Sequence, residues 1–344
     1  MTSLLPRLID SFEHFCCQLT SFFPRAMVHI LYGYALFSFG YKLSFGIIGG
    51  YEGFILTLIT LIFYILGLIT YHKVINVGGG SPFEFPELRV NENENIPPPQ
   101  YLVDHSIMIK HNGNFRYCNK CHNWKPDRCH HCSSCNKCIL KMDHHCPWFA
   151  TCIGFKNYKY FIQFLLYTIV YSTFICIITW IEFYKFISKE TYKTQHFDLN
   201  VIINGIIAIT MTISVSIFTG IQLYFLLNNM STIEYYEYNR YRNNLQIIND
   251  AHYKYSQQPS SDKLGNVFHL GTSRANWNAV MGNTWLEWLF PIHGQYNSND
   301  SYINDGLIFP YNEEIYKKLK GNSDLQHQLL MQLRGNTSNI NDLV

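Results

Sequence analysis

Four long apolar blocks limit most of what this chain can become. They run about Met27 to Ile48, Phe54 to Tyr71, Tyr160 to Ile181 and Val201 to Leu227, each near or above the ~20 residues that carry a helix across a hydrocarbon core ~30 Å thick. Lys42 alone puts a formal charge inside them, near the far end of the first, where its stem is expected to snorkel to the headgroups. Buried helices of a large soluble protein would show polar faces at 3.6-residue spacing, and the fourth block shows none. Charged residues make up 15% of the chain, against roughly 25% in soluble domains, so much of its surface is expected to meet lipid. A net charge of +2 without a long basic run argues against nucleic acid as a partner.

The blocks divide the chain into an N-terminal segment 1–26, a first helix pair 27–71, a Cys-rich segment 72–159, a second pair 160–227 and a C-terminal region 228–344. Lys73, Arg89, Lys110, Arg116 and seven further basic residues up to Lys159 assign the middle segment to the cytosolic side, and both termini with it. Lys185, Lys189 and Lys193 in the opposite loop weaken that bias without reversing it. On this topology the sequons at Asn229, Asn299 and Asn336 carry no glycan. No cleaved signal peptide is expected before the first block. Gly78 to Pro99 reads as extended or turn-like, Tyr235 to Tyr255 as a polar helix and Gln257 to Lys263 as a loop. Asn276 to Ile292 reads as an apolar docking segment too short to cross, and Gly321 onward as a polar tail.

Eight of the eleven cysteines fall between Cys118 and Cys152, interleaved with His130, His131, His144 and His145. That mixture favours metal over disulfides and implies a reducing compartment. The segment has almost no aliphatic run, so bound metal is expected to supply much of its folding free energy, on the order of 10 kcal/mol per site. Each C-x2-C pair offers two of the four ligands of a structural zinc, and two sites are possible by count. Such a count leaves cysteines over. Cys146 follows Asp143-His144-His145 directly, so His144 can take its proton while Asp143 orients the ring.

The run Asp143-His144-His145-Cys146-Pro147-Trp148 is preceded by Lys125-Pro126-Asp127-Arg128-Cys129-His130-His131-Cys132 and followed by Cys152-Ile153-Gly154-Phe155; it resembles the DHHC cysteine-rich domain of protein palmitoyltransferases. Ser231-Thr232-Ile233-Glu234 resembles the family's Thr-Thr-x-Glu motif, and Asn276-Trp277 with Val280 and Gly282 its C-terminal aromatic motif. The resemblance covers about Met27 to Ile292. It implies an all-α membrane protein: four transmembrane helices, with a cytosolic zinc-bound domain between the second and third. One structural zinc is then held by Cys118, Cys121, His131 and Cys138, and a second by Cys132, Cys135, His145 and Cys152. Cys146 becomes the acylated nucleophile, His144 its base, Asp143 the orienter of that base and Thr232 a partner of Asp143. Asn276 ties the C-terminal motif to the membrane end of the fold, and Cys129 is a spare thiol.

Two departures stand out. Phe149-Ala150-Thr151 replaces a stretch that usually holds two asparagines, and Ser231 replaces the first Thr of its motif; neither touches a ligand or the nucleophile. The Trp148-Phe149-Ala150 form, with Met281-Gly282 before Thr284-Trp285-Leu286-Glu287-Trp288, is similar to the fungal members of the vacuolar membrane.

The implied reaction takes a fatty acyl group from palmitoyl-CoA onto Cys146 and then onto a peripheral membrane protein with a cysteine at the cytosolic leaflet. The resemblance points to vacuole-associated proteins as those partners. Arg116, Lys125 and Arg128 are candidates for the CoA phosphates, with solvated surface charge as the competing reading for each. Tyr171 matches a position that lines the far end of the family's acyl cavity, against the plainer reading of an ordinary span aromatic. The rival class is a non-catalytic, membrane-anchored zinc adaptor, which needs eight ligands and leaves Cys146 without a purpose. A transporter would carry charged or broken helices near mid-membrane, and the blocks lack that pattern.

Overall fold

The computed structural model describes residues 22–90, 96–108, 114–190, 193, 196–240, 266–292, 301–318 and 320. Most of the expected polar helix after Tyr235, the loop Gln257 to Lys263, the sequons at Asn299 and Asn336, and the tail from Gly321 lie wholly or largely outside those residues. Helix α1 begins at residue 22 and passes at Leu36 into a π-helical stretch, Leu36–Ile48. Helix α2 is Gly50–Val77, α3 Gln100–His105, α4 Tyr158–Ser188 and α5 Leu199–Leu227. After them come α6 (232–240), α7 (Ser273–Met281), α8 (Trp285–Leu289) and α9 (Ser301–Asn304).

Among the described residues, α2, α4 and α5 are each long and apolar enough to cross a membrane. They outrun their apolar blocks, because a helix continues until its last carbonyls can meet polar partners or water. The most apolar window of α4 is 56% buried against 22% for α2 and α5, which makes α4 the centre of the bundle and leaves the other two to face outward. Thr57, Thr60 and Thr70 of α2 donate their hydroxyls to the carbonyls of Gly53, Leu56 and Leu66 within the same helix, hiding polar groups that lipid cannot satisfy. Gly67 lets α1 approach closely: a Cβ there would lie 2.6 Å from the Tyr32 ring. Lys42 does not simply snorkel. Its ammonium donates to Asp198 at 2.9 Å, and Asp198 also caps α5 by accepting from the Asn200 N–H.

The expectation of an all-α chain needs amending. Six strands of two or three residues form three antiparallel hairpins between α3 and α4. They are β1 (Tyr117–Cys118) with β2 (Asn123–Trp124), β3 (His130–Cys132) with β4 (Lys137–Ile139), and β5 (His144–Cys146) with β6 (Thr151–Ile153). In the first two hairpins the physical reason is the spacing of the cysteines: the C-x2-C pairs at Cys118 and Cys132 must fold back tightly, and two extended arms joined by a tight turn are a β-hairpin.

The hairpins are seated on the bundle by backbone contact. Gly79 and Gly154 both press on Ile139, where a Cβ would come within 2.7 and 2.6 Å of its Cγ2. Asn157, wholly buried, accepts from the Gly154 N–H and donates to the carbonyls of Val74 and Cys152, joining α2, β6 and the start of α4 through one side chain. Asn157→Ala leaves those three buried backbone groups unmet. It should lower stability by about 2–4 kcal/mol, read as a shift of the thermal unfolding transition in detergent.

Candidate active site

Strand alternation sorts the metal ligands. Successive side chains of a strand point to opposite faces, so the adjacent His131 and Cys132 of β3 serve different clusters. Cys118, Cys121, His131 and Cys138 gather in one, and Cys132, Cys135, His145 and Cys152 in the other; within each, the donor atoms lie within 4.8 Å of one another. Cross-strand pairing sets His131 opposite Cys138 and His145 opposite Cys152. His131 Nδ1 is 3.6, 3.2 and 4.0 Å from the Sγ atoms of Cys118, Cys121 and Cys138. His145 Nδ1 is 3.7, 3.3 and 3.7 Å from those of Cys132, Cys135 and Cys152. A tetrahedral zinc with ordinary bonds holds N and S about 3.6 Å apart, so both sets fit a four-coordinate ion. Four protein donors leave no open position on such an ion, the mark of a structural site. Cys129 is wholly buried beside the first cluster and belongs to neither.

In β5 the same alternation separates metal from thiol. His145 faces the second cluster, while His144 and Cys146, two residues apart, share the other face. His144 Nδ1 lies 2.6 Å from Asp143 Oδ2. The Asp143 carboxylate is buried and is fixed by Thr232, whose backbone N–H donates to Oδ1 at 2.7 Å and whose hydroxyl donates to Oδ2 at 3.0 Å. Thr232 is itself held at the first turn of α6 by a capping box: Ser231 Oγ accepts from the Glu234 N–H, and Glu234 Oε2 accepts from the Ser231 N–H. The box needs a hydroxyl, which serine supplies as well as threonine.

Burial by itself would strip the His144 ring of its proton. The hydrogen bonds and charges of Asp143 and the nearby Cys146 outweigh it and raise the imidazole to about 9. Its Nε2 is buried and has no hydrogen-bond partner of good geometry among the described residues, although the Cys146 sulfur is close enough to act on the ring. Aromatic rings floor the site. Phe161 stands edge-on to His144 at 5.5 Å, and Phe149 stacks on Tyr71 at 5.0 Å and meets Phe164 at 5.2 Å. Arg25 of α1 donates to the carbonyls of Phe149 and Ala150 at 3.2 and 3.3 Å, and the Tyr71 hydroxyl to that of Trp148 at 2.8 Å.

The residues read from sequence as phosphate contacts are not gathered in one place. Arg128 is a correction. It is 1% exposed, and its guanidinium donates to Glu234 at 2.6 and 2.7 Å and to Asn229 at 3.1 and 2.8 Å, between the rings of Phe268 and Phe309. Nothing of it is left for a phosphate. Burial acting alone would raise the Glu234 carboxyl, but Arg128 and the Ser231 N–H hold it below the usual range. Arg116 is half-buried, donating to the Cys129 carbonyl and to Met108 Sδ. Lys125 is half-buried at the edge of the first hairpin. Tyr171 is buried in the bundle, stacked on Tyr32 at 5.3 Å, ten residues beyond Phe161 and hence about 15 Å deeper. Asn229 is buried, its Nδ2 donating to Phe268 and its Oδ1 accepting from Arg128 and Lys141, which leaves no room for a glycan. Asn276 donates to the Leu227 carbonyl at 2.7 Å and so ties α7 to the end of α5. Arg25, Asn157 and the Arg128–Glu234 pair carry no signature along the chain, since their partners lie 83 to 125 residues away or in backbone carbonyls.

A metal-ready scaffold with one thiol beside an imidazole–carboxylate pair stands at the foot of a bundle of helices long and apolar enough to cross a membrane. The sequence profile of the DHHC palmitoyltransferase family matches residues 111–239, and the chain belongs to that family. It is similar to palmitoyltransferase PFA3 of Saccharomyces cerevisiae, 38% identical over 92% of this chain and 93% of the relative. It is also similar to the PFA3 palmitoyltransferases of Candida albicans, 37% identical over 95% of this chain and 93% of the relative, and of Kluyveromyces lactis, 40% identical over 77% and 82%. Its activity is protein S-palmitoylation. Both Arg128 and Glu234 lie inside the matched segment. Arg128→Met should cost about 3–5 kcal/mol, because it leaves the Glu234 carboxylate buried and unpaired. Arg128→Met with Glu234→Leu should cost less, by denaturant unfolding in detergent.

Proposed function

We propose that Cys146 carries the acyl group, with His144 as its base, Asp143 as the orienter of that base and Thr232 as the anchor of Asp143. The observation behind this reading is the chain Thr232–Asp143–His144, which ends on the face of β5 that bears a thiol outside both metal clusters. In the first step the Cys146 proton passes to His144 Nε2, the sulfur attacks the acyl-CoA carbonyl, the C–S bond to CoA breaks, and the departing CoA thiolate takes the proton. In the second, a substrate cysteine gives its proton to His144 and attacks the Cys146 thioester, and Cys146 leaves and is reprotonated. A ring raised to about 9 keeps the proton between these transfers at neutral pH. Zinc held by the two Cys/His sets would fix the shape of the hairpins and hold β5 in place.

The helix α1 is the fourth span on this reading: it covers the first apolar block and packs against α2 and α5. The chain then divides as a cytosolic segment 1–26, spans at 27–71, the Cys-rich catalytic domain at 72–159, spans at 160–227 and a cytosolic region 228–344. The excess of basic residues in the middle segment supports its cytosolic placement. The acyl chain of palmitoyl-CoA descends from Cys146 past Phe161 toward Tyr171, where ~0.8 kcal/mol per buried CH₂ holds it. Arg116 and Lys125 remain the candidates for a CoA phosphate. The residues around Trp148 and Thr284 to Trp288 support a vacuolar membrane, with peripheral proteins of that membrane as acyl acceptors.

Cys146→Ala should abolish hydroxylamine-sensitive labelling by an alkyne fatty acid while zinc stays near two per chain by elemental analysis; labelling that survives would overturn the assignment. Asp143→Asn removes the charge that sustains the His144 proton. It should slow autoacylation by about 10²–10⁴-fold, with loss of acyl-CoA turnover and not of protein.

A further inference from the structure

Lys159 stands at the start of α4, on the end of the bundle that bears the hairpins. It is 5% exposed, and its ammonium has no hydrogen-bond partner among the described residues. One turn on, Gln163 donates to the carbonyls of Glu287, Trp288 and Phe290, which lays α8 along this side of α4. Its Oε1 is unmet as well, so it does not answer the lysine. The charges of Glu287 and of Lys73 on α2 both act on the Lys159 ammonium, which puts it in the corner between α2, α4 and α8. Glu287 is already engaged: its carboxylate caps α8, accepting from the N–H groups of Asn283 and Thr284 and from the Thr284 hydroxyl. Two more cations border the corner. Lys73 donates to the Pro291 carbonyl, and Arg274 of α7 lies over the Trp288 ring at 4.4 Å. At 3.6 residues per turn, Lys159 is about 200° around α4 from Phe161, and Lys73 about 200° around α2 from Tyr71. The corner therefore faces away from the rings that floor the catalytic side.

The surroundings select the ligand. Lys73 and Lys159 lie within two residues of the apolar blocks, which sets them at headgroup depth in a bilayer. Beside them Trp285, Leu289, Phe290 and Ile292 are exposed, an apolar and aromatic face that suits the boundary between headgroups and acyl chains. A phosphate at that boundary answers Lys159. A choline headgroup would add its own cation to Lys73, Lys159 and Arg274, whereas a headgroup of net negative charge complements them. We propose that the corner between α2, α4 and α8 binds an anionic phospholipid of the leaflet next to the Cys-rich hairpins, its phosphate accepting from Lys159 and its acyl chains lying against the exposed face of α8. The assignment needs the bundle to sit in a bilayer and does not depend on the roles given to Cys146 and His144.

The test uses the full-length protein in nanodiscs of phosphatidylcholine, with and without added phosphatidylinositol, and reads the lipid that the released protein retains by native mass spectrometry. Phosphatidylinositol should be retained in preference to phosphatidylcholine and should slow amide exchange across α8. Lys159→Gln and Arg274→Gln should each weaken retention about fivefold, the worth of one basic residue against an anionic headgroup. Lys159→Gln also removes an unpaired buried charge, so the variant should fold. Phosphatidylinositol should then raise the thermal transition of the wild type and leave that of Lys159→Gln unmoved. Lys317→Gln, which removes an exposed cation elsewhere in the chain, should retain the lipid as the wild type does, and so should Cys146→Ala. Equal retention by the wild type, Lys159→Gln and Arg274→Gln would overturn the proposal, as would an equal loss in Lys317→Gln. Displacement of the lipid by inorganic phosphate or by free CoA would overturn it too, by showing that the corner takes a soluble phosphate.

Discussion

The two-residue period of β5 governs the site. His145 must face the second Cys/His cluster, opposite Cys152 on β6, and that requirement turns His144 and Cys146 together to the other side of the strand. A slip of one residue would carry the thiol toward the metal ligands and the histidine that belongs there toward the bundle. A metal at that cluster would therefore do more than supply folding free energy. It would fix which face of a three-residue strand meets the membrane, a strand far too short to keep its register alone.

Orientation also has to be passed from the hairpins to the helices. Two kinds of contact do this. Glycine and asparagine act through the backbone: Gly79 and Gly154 admit Ile139, and Asn157, just before α4, satisfies backbone groups of α2, of β6 and of the turn after β6. Charge acts at the other end, where Arg128 reaches across 106 residues to Glu234 and fixes the first turn of α6, and with it the Thr232 groups that hold Asp143. A buried ion pair of this kind adds little net stability beyond an apolar substitute. What it contributes is position, since the fork of Arg128 fits one arrangement of Glu234 and Asn229. The same demand explains why an arginine in a Cys-rich surface segment is withdrawn from solvent and so from any phosphate.

Much of this was legible along the chain. The apolar blocks located α2, α4 and α5 to within about seven residues at either end, because lipid rewards length and hydrophobicity alone. The four-plus-four ligand sets implied by the family resemblance are the sets that the structure brings together, and the Thr232–Asp143 contact is there as well. Three readings did not carry over. The Cys-rich segment is built of β-hairpins, Arg128, taken for a phosphate contact, is an internal brace, and Lys42 pairs with Asp198.

The difference lies in what each kind of information encodes. Composition and local spacing determined by themselves that the chain is made of membrane-length helices around a metal-binding insert, since both depend on residues close in sequence. Tertiary structure alone decided which charges are spent internally, which face of β5 carries the thiol, and that the Lys159 ammonium is buried without a partner among the described residues. A side chain's partner is set by packing across 100 residues or more, and its exposure depends on what the rest of the fold places over it.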